Sequence, residues 1–134
     1  MRKNSGTLNP SLARVISELG HTDEIVVTDA GLPIPAGVER IDLALTANVP
    51  RFLECLDVVL AEVQAEGAIA ASEIAEHSPV LLEAIKERLG SHGIPLDLVP
   101  HADFKERSKA SKAALRSGEF TPYANVILVA GVVY

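Results

Sequence analysis

The order of elements predicts a single α/β domain over residues 1–134, with a mixed or parallel central sheet and helices packed on its faces. Three observations carry that expectation. Apolar segments of strand length alternate with amphipathic segments of helix length. With 134 residues, 48% apolar and 22% charged, the chain has the size and composition of one globular domain and can build a core without disulfide or metal staples. No internal repeat, low-complexity tract or linker interrupts it.

Asn9-Pro10 opens the first helix, since Asn caps and Pro suits the first turn. Leu12, Val15, Ile16 and Leu19 follow at helical spacing, and Gly20 is the expected stop. Glu24 to Thr28 is short and β-branched, hence a buried strand, and Asp29 to Pro35 is a loop. A second strand is expected from Val38 to Leu45. From Pro50 a helix carries the stripe Phe52, Leu56, Val59, Leu60 and Val63, with Gly67 as its end. Ala68 to Ser72 reads as a strand of small residues. Pro79 to Leu89 reads as a helix broken by Gly90 and Gly93. Ile94 to Val99 is a strand whose Pro95 predicts an edge or irregular position. A short polar helix from Asp103 to Ser111, a strand from Lys112 to Arg116 and a strongly apolar last strand from Val126 to Val133 complete the order.

Composition excludes several classes. The chain has 12 basic and 18 acidic residues, a formal net charge of −6, which argues against nucleic acid or an anionic membrane as partner. Its one cysteine allows no intrachain disulfide and suits a reducing compartment. No signal-peptide pattern is visible at the N-terminus, and the longest uncharged apolar run, Ala124 to Tyr134, has 11 residues, against about 20 for a membrane-spanning helix. A cytoplasmic protein is expected. Because the chain stays apolar to its last residue, its end is expected to be buried, against another subunit if not within the chain.

P-loop, dinucleotide and nucleophile-elbow signatures are absent from the sequence. Cys55 falls on the apolar side of a helix and reads as core. His21, His77, His92 and His101 lack metal-ligand spacing, so no metal is expected. Three polar segments remain. His21, in Gly20-His21-Thr22-Asp23, is either an exposed loop histidine, or one hydrogen-bonded near the helix end, or a proton donor or acceptor. Asp29 is either a turn former or a carboxylate that binds a polar ligand or orients a histidine. Arg116 to Asn125 gathers Arg, Glu, hydroxyls, Tyr123 and Asn125 in ten residues; it is either a turn in which Asn125 caps the strand or part of a site. His101 has a similar structural reading, as a helix cap. In an α/β sheet, ligands sit at the carboxyl ends of strands, and Asp29 and His101 both follow such ends. His77 and His92 lie in polar stretches and receive no role.

The segments LNPSLARVISELGHTDEIVVTDAGLPIPAGVERIDLAL and GEFTPYANVILVAGVVY resemble the D-ribose pyranase family, whose relatives include the L-fucose mutarotases. The strings GHTD, DAGLPIP and GEFTPYAN, in that order, make the resemblance specific. It covers nearly the whole chain and is weakest between Asn48 and Asp97; Ser117 stands where Thr is more usual. The resemblance implies a small, cytoplasmic, cofactor-free isomerase that assembles into rings, commonly pentamers or decamers, and interconverts cyclic forms of a free sugar such as D-ribose. It implies His21 as proton donor and Asp29, His101, Tyr123 and Asn125 as sugar-binding residues. Ring opening of a hemiacetal needs one proton delivered and one removed, with no redox step, phosphate or metal, so the implied chemistry suits the residues. An L-fucose or other aldose mutarotase, and a non-catalytic sugar-binding accessory of an uptake system, are the competing readings.

Overall fold

The run Ile25-Val26-Val27 has both faces covered, at no more than 1% exposure each, which is why it shows no polar alternation. It is the centre of β1 (Glu24–Thr28), a strand in the middle of a six-stranded sheet. A computed structural model describes residues 1–3 and 6–134. Along the chain lie α1 (Pro10–Glu18), β1, β2 (Glu39–Asp42), α2 (Phe52–Glu62), β3 (Ala65–Ala71), α3 (Ile74–His77), α4 (Pro79–Ser91), β4 (Leu96–Val99), α5 (His101–Ser108), β5 (Ala113–Arg116) and β6 (Val126–Ala130). The sheet order is β2-β5-β1-β6-β3-β4. β2, β5 and β1 pair in parallel, as do β3 and β4, while β6 is antiparallel to both β1 and β3. One edge of the sheet therefore holds the carboxyl ends of five strands and the start of β6. Of the mixed or parallel sheet expected from the sequence, the mixed form is observed.

Two cores flank the sheet. Leu12 and Val15 of α1, Phe52, Leu56 and Val59 of α2, and Leu82, Ile85 and Leu89 of α4 pack with Ile25, Val27, Val126 and Leu128 on one face. On the other face Phe104 of α5 packs with Val26, Ile69, Ala114 and Ile127. Alternate strand residues thus feed opposite cores. Asn9 caps α1 as expected, its Oδ1 accepting from Leu12 N–H at 2.9 Å.

Several boundaries differ from the sequence expectation. Gly67 does not stop α2; the helix ends at Glu62, and Gly67 lies inside β3. The second strand is shorter than Val38–Leu45, and Leu45 is exposed. α4 runs through Gly90 to Ser91, because one glycine weakens a helix without ending it. α5 starts at His101, two residues before the polar stretch. β6 stops at Ala130, and Val133 and Tyr134 are 85% and 100% exposed, so the chain does not bury its own end. β4 starts only after Pro95, at Leu96, and occupies a sheet edge, one of the two positions expected from that proline.

Candidate active site

A cleft of about 560 Å³ opens at the carboxyl edge of the sheet. Asp29, one residue past β1, lines it together with His101, one residue past Pro100 and β4, and with Tyr123 and Asn125 from the segment before β6. Four of the five residues singled out in the sequence are gathered here, although they lie up to 96 positions apart. The antiparallel insertion of β6 beside β1 brings this about, since it starts β6 where β1 ends.

Asp29 and Asn125 are buried, at 8% and 1% exposure, and lock to each other. The Asp29 N–H donates to Asn125 Oδ1 at 2.8 Å, and Asn125 Nδ2 donates to Asp29 Oδ2 at 3.2 Å. Asp29 Oδ1 accepts from Gly31 N–H at 2.9 Å and Leu32 N–H at 2.8 Å. The carboxylate therefore shapes its own turn with one oxygen, as a turn former does. Its other oxygen accepts one amide hydrogen bond and keeps acceptor capacity for a ligand hydroxyl. Asn125 ties the end of β1 rather than capping its own strand.

Tyr123 has φ 62°, a left-handed conformation uncommon for a bulky residue. The turn projects its ring between two imidazoles: His101 meets it edge-on at 5.0 Å between ring centroids, and His77 of α3 lies tilted against it, also at 5.0 Å. His101 is not a helix cap. Its N–H donates to both carboxylate oxygens of Glu73 at 3.0 Å, and these bonds hold the Glu73 carboxyl below its ordinary range. With the start of α5 capped from elsewhere, the His101 ring is free to stack on Phe104, and its buried Nδ1 has no hydrogen-bond partner among the described residues.

A second set of residues holds the loop. Glu119 is 4% exposed, and its carboxylate accepts from Phe52 N–H, Thr121 N–H and Thr121 Oγ1 and pairs with Arg51 at 3.3 Å. Burial pushes its carboxyl up, but those hydrogen bonds and the Arg51 charge outweigh burial and leave it lowered. Arg116, at the end of β5, donates to Ala30 O at 3.0 and 3.1 Å and pairs with Asp42 at 3.1 Å. It thereby ties the Asp29 turn to β2. Gly118 passes so close to the 46–49 loop that a Cβ would lie 2.6 Å from Thr46 O and Val49 O. Glu119, Arg116 and His77 received no individual role from the sequence. Glu119 and Arg116 at least fall in the polar segment; His77 carries no local signal, because its ring partner is 46 positions away.

His21 lies elsewhere. It precedes β1, whereas Asp29 follows it, and five strand residues separate those ends by about 17 Å. The His21 turn is fixed on the end of β6 by Thr22 N–H to Ala130 O and Ala130 N–H to Asp23 O, both 2.8 Å. Its Nε2 sits 2.9 Å from Glu66 Oε2. Cys55 is buried, and burial pushes its thiol up to about 11, which keeps it protonated and inert. Among the described residues no helix is long and apolar enough to cross a membrane.

Known proteins resemble this chain along its full length. A D-ribose pyranase of Laribacter hongkongensis (strain HLHK9) is 54% identical over 134 residues, covering 100% of both chains. One from Vibrio vulnificus (strain YJ016) is 52% identical and covers 98% of this chain and 99% of that one. The structure of Bacillus subtilis RbsD complexed with D-ribose superposes with a TM-score of 0.94 at 41% identity, covering 99% of this chain and 100% of that one. A fucose mutarotase from Streptococcus pneumoniae in complex with L-fucose superposes with a TM-score of 0.79 at 29% identity over 93% of this chain and 94% of that one. The profile of the RbsD / FucU transport protein family matches residues 2–133. With the same fold and half of its residues shared with such relatives, the chain belongs to the RbsD / FucU transport protein family.

Proposed function

We propose that the chain is a D-ribose pyranase, an isomerase that interconverts the β-pyranose and β-furanose forms of free D-ribose. The observation that carries this reading is the cleft in which Asp29, His101, Tyr123 and Asn125 converge, in a chain 54% identical to a D-ribose pyranase. A carboxylate, an amide, an imidazole and a phenol offer both donors and acceptors to sugar hydroxyls, and the Tyr123 ring offers a face for sugar C–H groups. In the reaction a proton goes to the ring oxygen and one leaves the anomeric hydroxyl; the C–O bond opens to the aldehyde, and a different hydroxyl recloses the ring. Acid–base assistance is worth about 100- to 10,000-fold, enough for a reaction that also proceeds unaided.

His21 is proposed as the proton donor. Its own cleft lies across the sheet, so in this reading the His21 of a second copy completes the site and the working form is a homo-oligomer. The exposed Val133 and Tyr134, beside the His21 edge, supply apolar surface for such a contact. The cytoplasm, where free sugar meets its metabolic enzymes, is the proposed compartment.

Saturation transfer between anomeric NMR signals tests the activity. Ribose should exchange faster with the protein present, and more so than fucose or galactose. Binding of ribose without faster exchange favours the accessory-protein reading; faster exchange of fucose than of ribose favours the mutarotase.

A further inference from the structure

Glu66 lies in β3 where the register with β6 shifts: Ala65 pairs Ala130 and Gly67 pairs Val129, which leaves Glu66 as the extra residue. Such bulges re-aim a side chain. Here the carboxylate is turned over the end of β6 to His21, with Oε2 2.9 Å from Nε2. The end of β6 makes room for it. Gly131 N–H donates to Gln64 O at 2.8 Å, and a Cβ on Gly131 would come 3.2 Å from Glu66 Cβ and 3.5 Å from Oε2. The other carboxylate of the His21 turn, Asp23, is engaged by Gly20 N–H at 2.9 Å and by Lys112 at 3.7 Å. Both halves of the His21–Glu66 pair thus hang on backbone that is fixed to β6.

We propose that Glu66 is the positioning residue of His21, holding Nε2–H so that Nδ1 is the nitrogen that exchanges a proton with the sugar. This rests on the acid–base role of His21 proposed above. An ionised carboxylate only accepts hydrogen bonds, so Nε2 keeps its hydrogen whether the ring is neutral or charged, and Nδ1 alone gains and loses one. Because the two side chains are 55% and 47% exposed, solvent screens the pair and its effect is smaller than in a buried triad.

Imidazole ¹⁵N NMR of the intact protein, combined with exchange kinetics, tests the proposal. Neutral His21 should be the Nε2–H tautomer. Glu66→Ala should lose that bias and slow ribose exchange about 2- to 5-fold at saturating sugar, with half-saturation unchanged. Glu66→Gln, which keeps an acceptor, should restore part of both. An Nδ1–H tautomer in the unaltered protein or a full rate in Glu66→Ala overturns the proposal. The first of these decides even if Glu66→Ala does not fold. Full activity of His21→Ala, measured with Glu66 intact, instead removes the reading on which the proposal rests.

Discussion

Asp29 has two oxygens with separate tasks, and substitutions separate them. Asp29→Ala leaves the Gly31 and Leu32 N–H groups without an acceptor, and a buried unsatisfied donor costs about 1–3 kcal/mol; denaturant unfolding should show a loss of that size. Asp29→Asn can keep the turn acceptor, so its stability should stay closer to that of the parent. Its ribose affinity should still fall about tenfold, the worth of one charge-assisted hydrogen bond to the sugar, as read by calorimetry. His21→Ala removes no core contact, since the side chain is half exposed. It should abolish catalysed anomer exchange while leaving the melting temperature within a degree or two. Retained exchange would take His21 out of the mechanism. The residues of the cleft were legible as types: Asp after a strand, His after a strand, Tyr and Asn in a polar loop. Their mutual bonds were not, because Asp29 and Asn125 lie 96 positions apart.

The loop from Ser117 to Asn125 behaves as an element, with Glu119 as its anchor. One carboxylate there gathers the α2 start, Arg51 and Thr121. A glutamate whose folded-state pKa is depressed adds stability that is fully present above its unfolded value, near ~4.3, and lost as pH falls through the folded value. The parent protein should therefore lose stability on acidification below about pH 4. Glu119→Gln should be less stable at neutral pH and show a shallower acid loss in chemical denaturation at several pH values. An unchanged acid profile would mean that Glu119 is not a determinant. Gly118→Ala pushes a methyl against two backbone carbonyls. Overpacking of this kind costs about 1–3 kcal/mol, and here it also displaces Tyr123 and Asn125, so ribose affinity should fall along with stability. At this scale Gly20 and Gly93 do follow helix ends, whereas Gly67 and Gly90, expected as stops, do not end theirs. Gly67 marks a bulge within a strand, and whether a glycine ends a helix or bends a strand depends on the strand beside it.

For the whole molecule, the separation of His21 from the cleft has a kinetic consequence. If activity needs His21 from another copy, specific activity should fall on dilution in step with the mass seen by light scattering. A mixture of His21→Ala and Asp29→Asn subunits, exchanged together and assayed at limiting ribose, should exceed the mean activity of the two alone. No excess after demonstrated exchange counts against a shared site. Removing Val132 to Tyr134 should lower the mass of the assembly, because Val133 and Tyr134 are exposed in the single chain and apolar. Element order and alternating apolar pattern in the sequence determined the α/β class, the burial of β1 and the types of polar residue that follow strands. Those are local properties, set by backbone geometry and side-chain period. Tertiary structure alone decided that β6 runs antiparallel between β1 and β3, that Asn125 meets Asp29, that Glu66 meets His21 and that His21 faces away from its own cleft. Each of these is a contact between distant segments, and strand order and register, which no local pattern encodes, select it.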